Sequence, residues 1–365
     1  MIYESPPVRG SLAEKLTELR DLRKRLDKRS SQPIRWIGSL RREVRAASIS
    51  GSTSIEGFSV SPEEAVELAE RRATAADDDE NRQAVACYAR AMDHVGTMAV
   101  DPGFRWLDRV ILDLHFDACC FQREKDPGLW RKGPIGVTAA DGSLEYRGPD
   151  AEEVPRLMAE VVAWLQQGKP KVDVVVRAAM AHLDVISVHP FRDGNGRISR
   201  IVQSLVLALD GARAPEFFSI EEYLAGHTQD YYAALREVQA GSYQPQRDAT
   251  SWVEFCLEAH IVQARQRLAQ IEEAAARWSS LEGLVEARGW PDRLVIALEQ
   301  ALSGRTDRSR FGREAEISSV TASTDLRRLL DAELLRQHGR GPTTRYEASE
   351  LLREQVSAAP APPAR

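Results

Sequence analysis

Two helical stretches, Asp173–Val188 and about Arg197–Leu209, are joined by the short run His189-Pro190-Phe191-Arg192-Asp193-Gly194-Asn195-Gly196. Nothing else in the chain restricts its fold as tightly. Glycines allow positive φ and close backbone approach, so Gly194-Asn195-Gly196 form a tight loop feeding a helix N-terminus. The free N–H groups and the helix dipole there make an anion site. Arg197 and Arg200 share a helix face and present planar forks suited to phosphate oxygens. Asp193 stands at the loop entrance, and one carboxylate plus phosphate oxygens is a usual way to hold Mg²⁺. His189, with an intrinsic pKa close to neutral, suits a general base that takes a proton from an incoming hydroxyl. These are the parts needed for an alcohol to attack a nucleotide phosphate.

The rest of the chain reads as almost entirely helical. Leu12, Leu16, Leu19, Leu22 and Leu26 mark an amphipathic helix over 11–30. Arg35–Ile49 is helical again and runs into the polar, small-residue stretch Ser48–Ser54. Ser61-Pro62-Glu63-Glu64 carries an N-cap, a proline at the first helical position and a capping box. The acidic run Asp77–Glu80 reads as a helix N-terminus, not a metal site. Further helices are expected over Trp106–Phe121, 151–168 and from Trp252 to about Arg288. The one strand-like region is Pro134–Arg147, where Asp141-Gly142 between apolar flanks signals a hairpin turn.

At 365 residues the chain has room for two to three domains, and its 43% apolar content can bury their cores. No run approaches the ~20 apolar residues of a membrane span, and the first residues lack a signal-peptide core. A cytoplasmic chain with no membrane partner is the expectation. A net charge of −6 argues against coating nucleic acid along the whole length. Of the 49 basic residues 42 are arginine, so an arginine outside a spaced pattern carries little weight. Cys87, Cys119, Cys120 and Cys256 are too scattered for a disulfide framework or zinc site, and Cys119 and Cys120 read as reduced packing residues.

Residues 189–200 resemble the Fic (Fido) family signature, H-x-F-x-[D/E]-G-N-G-R-x-x-R, at every specified position. The resemblance extends over about 105–258. It implies a mostly α fold: a helical Fic core with a β-hairpin flap. It also implies transfer of AMP from ATP to a Ser, Thr or Tyr hydroxyl of a protein. In that reading His189 is the base, Asp193 holds Mg²⁺, and Gly194, Asn195 and Gly196 bind the α- and β-phosphates. Arg197 and Arg200 take the β/γ end, and Phe191 anchors the loop. The stretch Ile220–Leu235 resembles the helix pair lining the adenine pocket, with Tyr231 or Tyr232 available to stack on the base, Tyr231 being the residue assigned. His115 and His182 fit buried packing, not a metal site.

Ser52-Thr53-Ser54-Ile55-Glu56-Gly57 is similar to the family's inhibitory pattern, [S/T]-x-x-x-E-[G/N], with Ser52, Glu56 and Gly57 at its fixed positions. The resemblance implies that Glu56 pairs with Arg200 where the γ-phosphate belongs, which misaligns bound ATP. In some relatives the same glutamate serves AMP removal. The expected organisation is an N-terminal helical region over 1–100, the Fic domain over 105–258 and a connecting helix over 259–289. A winged-helix-like domain over 290–350 and a disordered tail over 351–365 complete it. Thr321, Ser323, Thr324, Arg327 and Arg328 would lie on or near a recognition helix, and Arg340 at the wing tip. Besides a protein substrate, a homodimer partner and DNA or protein contact through the winged helix are the candidate interactions. The rival reading is an ATP-sensing transcription regulator.

Overall fold

A computed structural model describes residues 1–31, 36–70, 79–138, 142–167, 172–212, 214–341 and 344–357. Its contacts divide the chain into two compact units, Met1–Ser31 with Arg41–Arg267 and Gln32–Leu40 with Leu268–Arg365. Both are mostly helical, as the periodicities predict.

The helices that build the first unit are α1 (Ser11–Ser30), α2 (Ile37–Ile55, from Arg41 onward), α3 (Pro62–Glu70), α4 (Glu80–Val100) and α5 (Asp108–Cys119). After a hairpin of β1 (Gly136–Thr138) and β2 (Leu144–Arg147) come α6 (Val154–Gln166), α7 (Val174–Val188) and α8 (Asn195–Ala208). Then follow α9 (Glu221–Gly226), α10 (Thr228–Gln239) and α11 (Thr250–Glu286), whose residues to Arg267 belong here. The α7–α8 pair is the core: α7 is buried all round, the pattern of a helix enclosed by others. Trp252, fully buried on α11, donates its indole N–H to the Ala179 carbonyl of α7 at 2.7 Å. The five leucines of α1 are all buried. Ser61 and Glu64 exchange the hydrogen bonds of a capping box at the start of α3. Asp79 caps α4 through Asn81 and Arg82, while Asp77 and Asp78 lie outside the described residues.

One expectation changes. The stretch Ser48–Ser54 is not a run-out from a helix ending near Ile49: α2 continues through it to Ile55. Its small side chains let the helix lie against Glu221. A Cβ on Gly51 would stand 2.9 Å from the Glu221 carbonyl oxygen. Ser48 donates to the buried Glu221 carboxylate at 3.2 Å, and Ser204 of α8 donates to its other oxygen at 2.7 Å.

In the second unit α11 continues from Leu268, followed by α12 (Leu294–Leu302), β3 (Arg305–Thr306), α13 (Arg308–Glu314) and α14 (Ser319–Asp331). Then come β4 (Leu335–His338), β5 (Arg345–Ala348) and α15 (Glu350–Ser357). The antiparallel sheet has the order β3-β5-β4, with Thr306 opposite Tyr346 and Gln337 also opposite Tyr346. The two-residue β3 is too short to leave a periodic signal. The disordered tail expected over 351–365 is corrected for its first part. Glu350–Ser357 is helical because Leu352 is fully buried and its N–H is held by Ser349 Oγ at 3.1 Å. Residues 358–365 lie outside the described residues.

Candidate active site

His189 closes α7 in the left-handed region, at φ 51° and ψ 58°, a conformation that costs a residue with a Cβ about 1 kcal/mol or more. The strain is held by Arg131, which is buried. Its Nε donates to the His189 carbonyl at 2.8 Å, and its backbone N–H to the Pro190 carbonyl at 2.9 Å. The other two guanidinium nitrogens donate to Gly133 and Pro149, at the two feet of the hairpin, at 2.8 and 2.6 Å. His189 Nδ1 donates to the Ile186 carbonyl at 3.0 Å, which leaves Nε2 as an acceptor. Burial is the main influence on the ring and lowers its pKa, against the raising effect of that hydrogen bond.

The loop itself is fixed from inside. Phe191 is fully buried and stacks on His115, with centroids 3.6 Å apart and planes 4° off parallel. His115 Nε2 donates to the Asp193 carbonyl at 2.9 Å while Nδ1 accepts from the Gly128 N–H. The Asn195 carboxamide spans the Phe191 backbone, accepting from its N–H at 2.9 Å and donating to its carbonyl at 2.8 Å. What Asn195 offers the pocket is therefore backbone, as are the contributions of Gly194 and Gly196. Gly194 has φ 74°, and a Cβ there would stand 2.5 Å from Cys119 Sγ. The first N–H groups of α8 have no acceptor within the helix and make the anion cradle.

Arg197 and Arg200 are each 1% exposed, and burying such charges demands partners. Arg197 Nη2 donates to Gln122 at 3.1 Å and lies 3.7 Å from Asp193, and Phe58 and Phe121 flank the guanidinium at 5.4 Å. Its Nε and Nη1 are buried with no acceptor among the described residues, an arrangement that calls for an anion. Arg200 is occupied. Its Nε donates to Ser52 Oγ at 2.7 Å, and its Nη2 to the Ser52 carbonyl at 3.0 Å and to Glu56 Oε1 at 2.7 Å. Ser52 lies in the last turn of α2, and the chain then closes a tighter turn, Glu56 N–H to the Thr53 carbonyl at 3.1 Å, which brings Glu56 to the same guanidinium. Gly57, at φ 87°, follows the end of α2 in the left-handed position common after a helix C-terminus. Burial would raise the Glu56 pKa, but Arg200, then Arg197 and His189, outweigh it and hold the carboxyl below the usual range. A Cβ on Gly196 would run into Glu56 Oε1, so the carboxylate lies directly over the cradle.

Glu56, His189 and Asp193–Gly196 line a cavity of about 400 Å³, within the range of small-ligand sites. Ile135–Thr138 and Tyr146 of the hairpin form one wall and Tyr231, Tyr232 and Leu235 of α10 another. Tyr146 is anchored through its hydroxyl to the Ser187 carbonyl. The turn residue Asp141 lies outside the described residues; Gly142 has φ 84°. The assigned Tyr231 is 1% exposed, and its hydroxyl donates at 3.0 Å to His182, which in turn donates to Gln203 at 2.6 Å. Tyr232, 37% exposed, is the ring that presents surface to the cavity. His115 and His182, with pKa values lowered by burial to about 4 and about 3, are neutral packing groups. No cluster of three or more His, Cys, Asp or Glu able to hold a metal occurs among the described residues. Asp193, 38% exposed at the cradle, fits a Mg²⁺ that takes its other ligands from phosphates and water.

Arg131, Gln122, Phe58, Phe121 and Tyr146 escaped the sequence reading. Arg131 stands outside any spaced pattern, one arginine among many, and only the fold brings it to His189.

Residues 106–207 match the model of the Fic/DOC family. A probable protein adenylyltransferase of Aquifex aeolicus is 33% identical over 116 residues, covering 32% of this chain and 32% of that protein. Protein adenylyltransferase fic-1 of Caenorhabditis briggsae is 34% identical over 95 residues, covering 26% and 18%. The aligned parts thus span 32% and 18% of these two relatives. Among solved structures, a Fic family protein of Desulfovibrio desulfuricans superposes with a TM-score of 0.61 over 95% of this chain and 99% of that one, at 20% identity. Fic-1 of Caenorhabditis elegans does so with 0.55 over 71% and 73%, at 19% identity. These two share the fold. The signature loop and its buried supports lie within the matched segment, so residues 106–207 form a Fic/DOC family domain.

Proposed function

We propose that this protein transfers AMP from ATP to a Ser, Thr or Tyr hydroxyl of a protein, and that Glu56 restrains it. One observation carries the reading. In a single cavity His189 keeps Nε2 free as an acceptor beside the N-terminus of α8, and the buried Arg197 of the same helix has Nε and Nη1 without acceptors among the described residues. The names of the matched relatives support it.

The hydroxyl oxygen attacks the α-phosphorus and its proton passes to His189 Nε2. The bond from that phosphorus to the oxygen bridging to the β-phosphate breaks, and pyrophosphate leaves with its charge met by Arg197 and Arg200. The N–H groups at Gly194–Gly196 hold the phosphates, and Tyr232 stacks on the base. Bound at Asp193, Mg²⁺ supplies further charge neutralisation. With Glu56 on Arg200 the γ-phosphate is displaced, and a small misplacement at the α-phosphorus costs rate steeply. AMP removal would use the same groups, with Glu56 orienting water. The test is incubation with α- or γ-labelled ATP: label on protein from the α position supports the reading, and label only from the γ position overturns it.

A second reading, an ATP-sensing regulator, draws on the second unit. There α14 buries Ala322, Leu326 and Leu329 and exposes Val320, Ser323, Thr324, Arg327 and Arg328, with Arg340 exposed between β4 and β5. That is the surface a winged helix offers to DNA. Absence of any shift of random duplex at low salt overturns it.

A further inference from the structure

Two of the cysteines that look scattered in sequence meet in the fold. Cys87 on α4 and Cys120, directly after α5, come together with their sulfurs 3.5 Å apart. Arg90, one turn beyond Cys87, places Nη1 3.3 Å from Cys120 Sγ. Cys87 is buried and Cys120 partly exposed. A partly exposed sulfur beside a guanidinium, with a second thiol behind it, has the layout of a thiol that oxidises and is then resolved.

We propose that Cys120 and Cys87 are a hydroperoxide-reactive dithiol, Cys120 the attacking sulfur and Cys87 the resolving one. The Cys120 thiolate attacks one peroxide oxygen and the O–O bond breaks. Hydroxide leaves and takes up a proton as water, and Cys120 becomes a sulfenic acid, oxidised by two electrons. Cys87 then attacks that sulfur, the S–S bond forms, the S–O bond breaks, and the hydroxyl departs as water with the Cys87 proton. One peroxide and two thiols yield one disulfide and two waters. The sulfurs close from 3.5 Å to ~2 Å.

The environment favours this assignment of roles. The Cys87 S–H donates to the Cys120 sulfur, and with Arg90 nearby it lowers the Cys120 pKa, while the same hydrogen bond and burial raise that of Cys87. Burial raises Cys119 to about 12 and also raises Cys256. The bond would form next to Phe121 and Gln122, two of the groups that touch Arg197. It requires no nucleotide and stands whether or not the chain transfers AMP.

The test treats the full-length protein with hydrogen peroxide, alkylates it in denaturant and maps unreduced peptides by mass spectrometry. A Cys87–Cys120 link is expected, with Cys119 and Cys256 alkylated. Cys120→Ser should abolish the link. Cys87→Ser should leave a sulfenic acid at position 120 that dimedone captures, with about tenfold or more preference over Cys256. A link through Cys119, no link in the wild-type protein, or equal oxidation of all four thiols overturns the proposal.

Discussion

Glu56 Oε1 lies 2.7 Å from Nη2 of Arg200, and the same oxygen occupies the space a side chain on Gly196 would fill. One carboxylate therefore neutralises the clamp and covers the cradle. Replacing Glu56 with glycine should raise self-labelling from α-labelled ATP by about tenfold or more, the factor ~1.4 kcal/mol of transition-state alignment carries. Adding His189→Ala should return it to background. No gain from Glu56→Gly would remove the brake.

Acid should not open that brake within the ordinary working range. Because the folded pKa of Glu56 is lowered, the pair's contribution is present above the unfolded glutamate value and is lost only as pH falls through the lower folded one. Wild-type labelling should therefore stay low down to pH ~5. A rise between neutrality and that point would contradict the ion pair.

The unbraked variant should show a different limb. Burial lowers the His189 pKa, and the Glu56 charge that partly opposes this is gone in Glu56→Gly. Its rate should be level near neutrality and fall as pH drops, with a midpoint below the ~6.5 of free histidine. A pH–rate profile with a midpoint above that value would dismiss His189 as the base.

Arg131 acts on His189 without facing the cavity. In the Glu56→Gly background, Arg131→Ala should cut turnover on the order of 100-fold with a smaller change in KM for ATP. Arg131→Lys should not rescue it, since an ammonium cannot serve three divergent carbonyls from one fork. Equal loss in KM and turnover would make Arg131 a binding residue instead.

The two adjacent tyrosines should separate cleanly. Tyr232→Ala should weaken ATP binding by about tenfold, a base stack being worth ~1–3 kcal/mol. Tyr231→Phe should leave ATP affinity intact and cost ~1–2 kcal/mol of stability, because it strands His182 Nε2 in the core. Calorimetry and thermal unfolding measure the two.

The catalytic loop was legible because its chemistry is contiguous: base, acid, glycines and arginines follow one another within one turn of chain. Ser52 and Glu56 were legible as a pattern, although helical periodicity was read only as far as Ile49, short of both. Glycine, serine and threonine lower helix propensity, and it is the close approach to Glu221 that makes these residues fit. Arg131 and the Cys87–Cys120 pair were illegible, since each owes its meaning to a partner tens of residues away. Tyr231 and Tyr232 have the same local signal, and only their exposure tells them apart.

The guanidinium of Arg131 grips the His189 carbonyl and both feet of the hairpin at once. The flap cannot pivot at its base without dragging the residue assigned to receive the proton. In the proposed reaction, a polypeptide seated against the hairpin would thereby act on the placement of His189. In that reaction a hydroxyl on a small free alcohol, which leaves the hairpin undisturbed, would forgo that leverage.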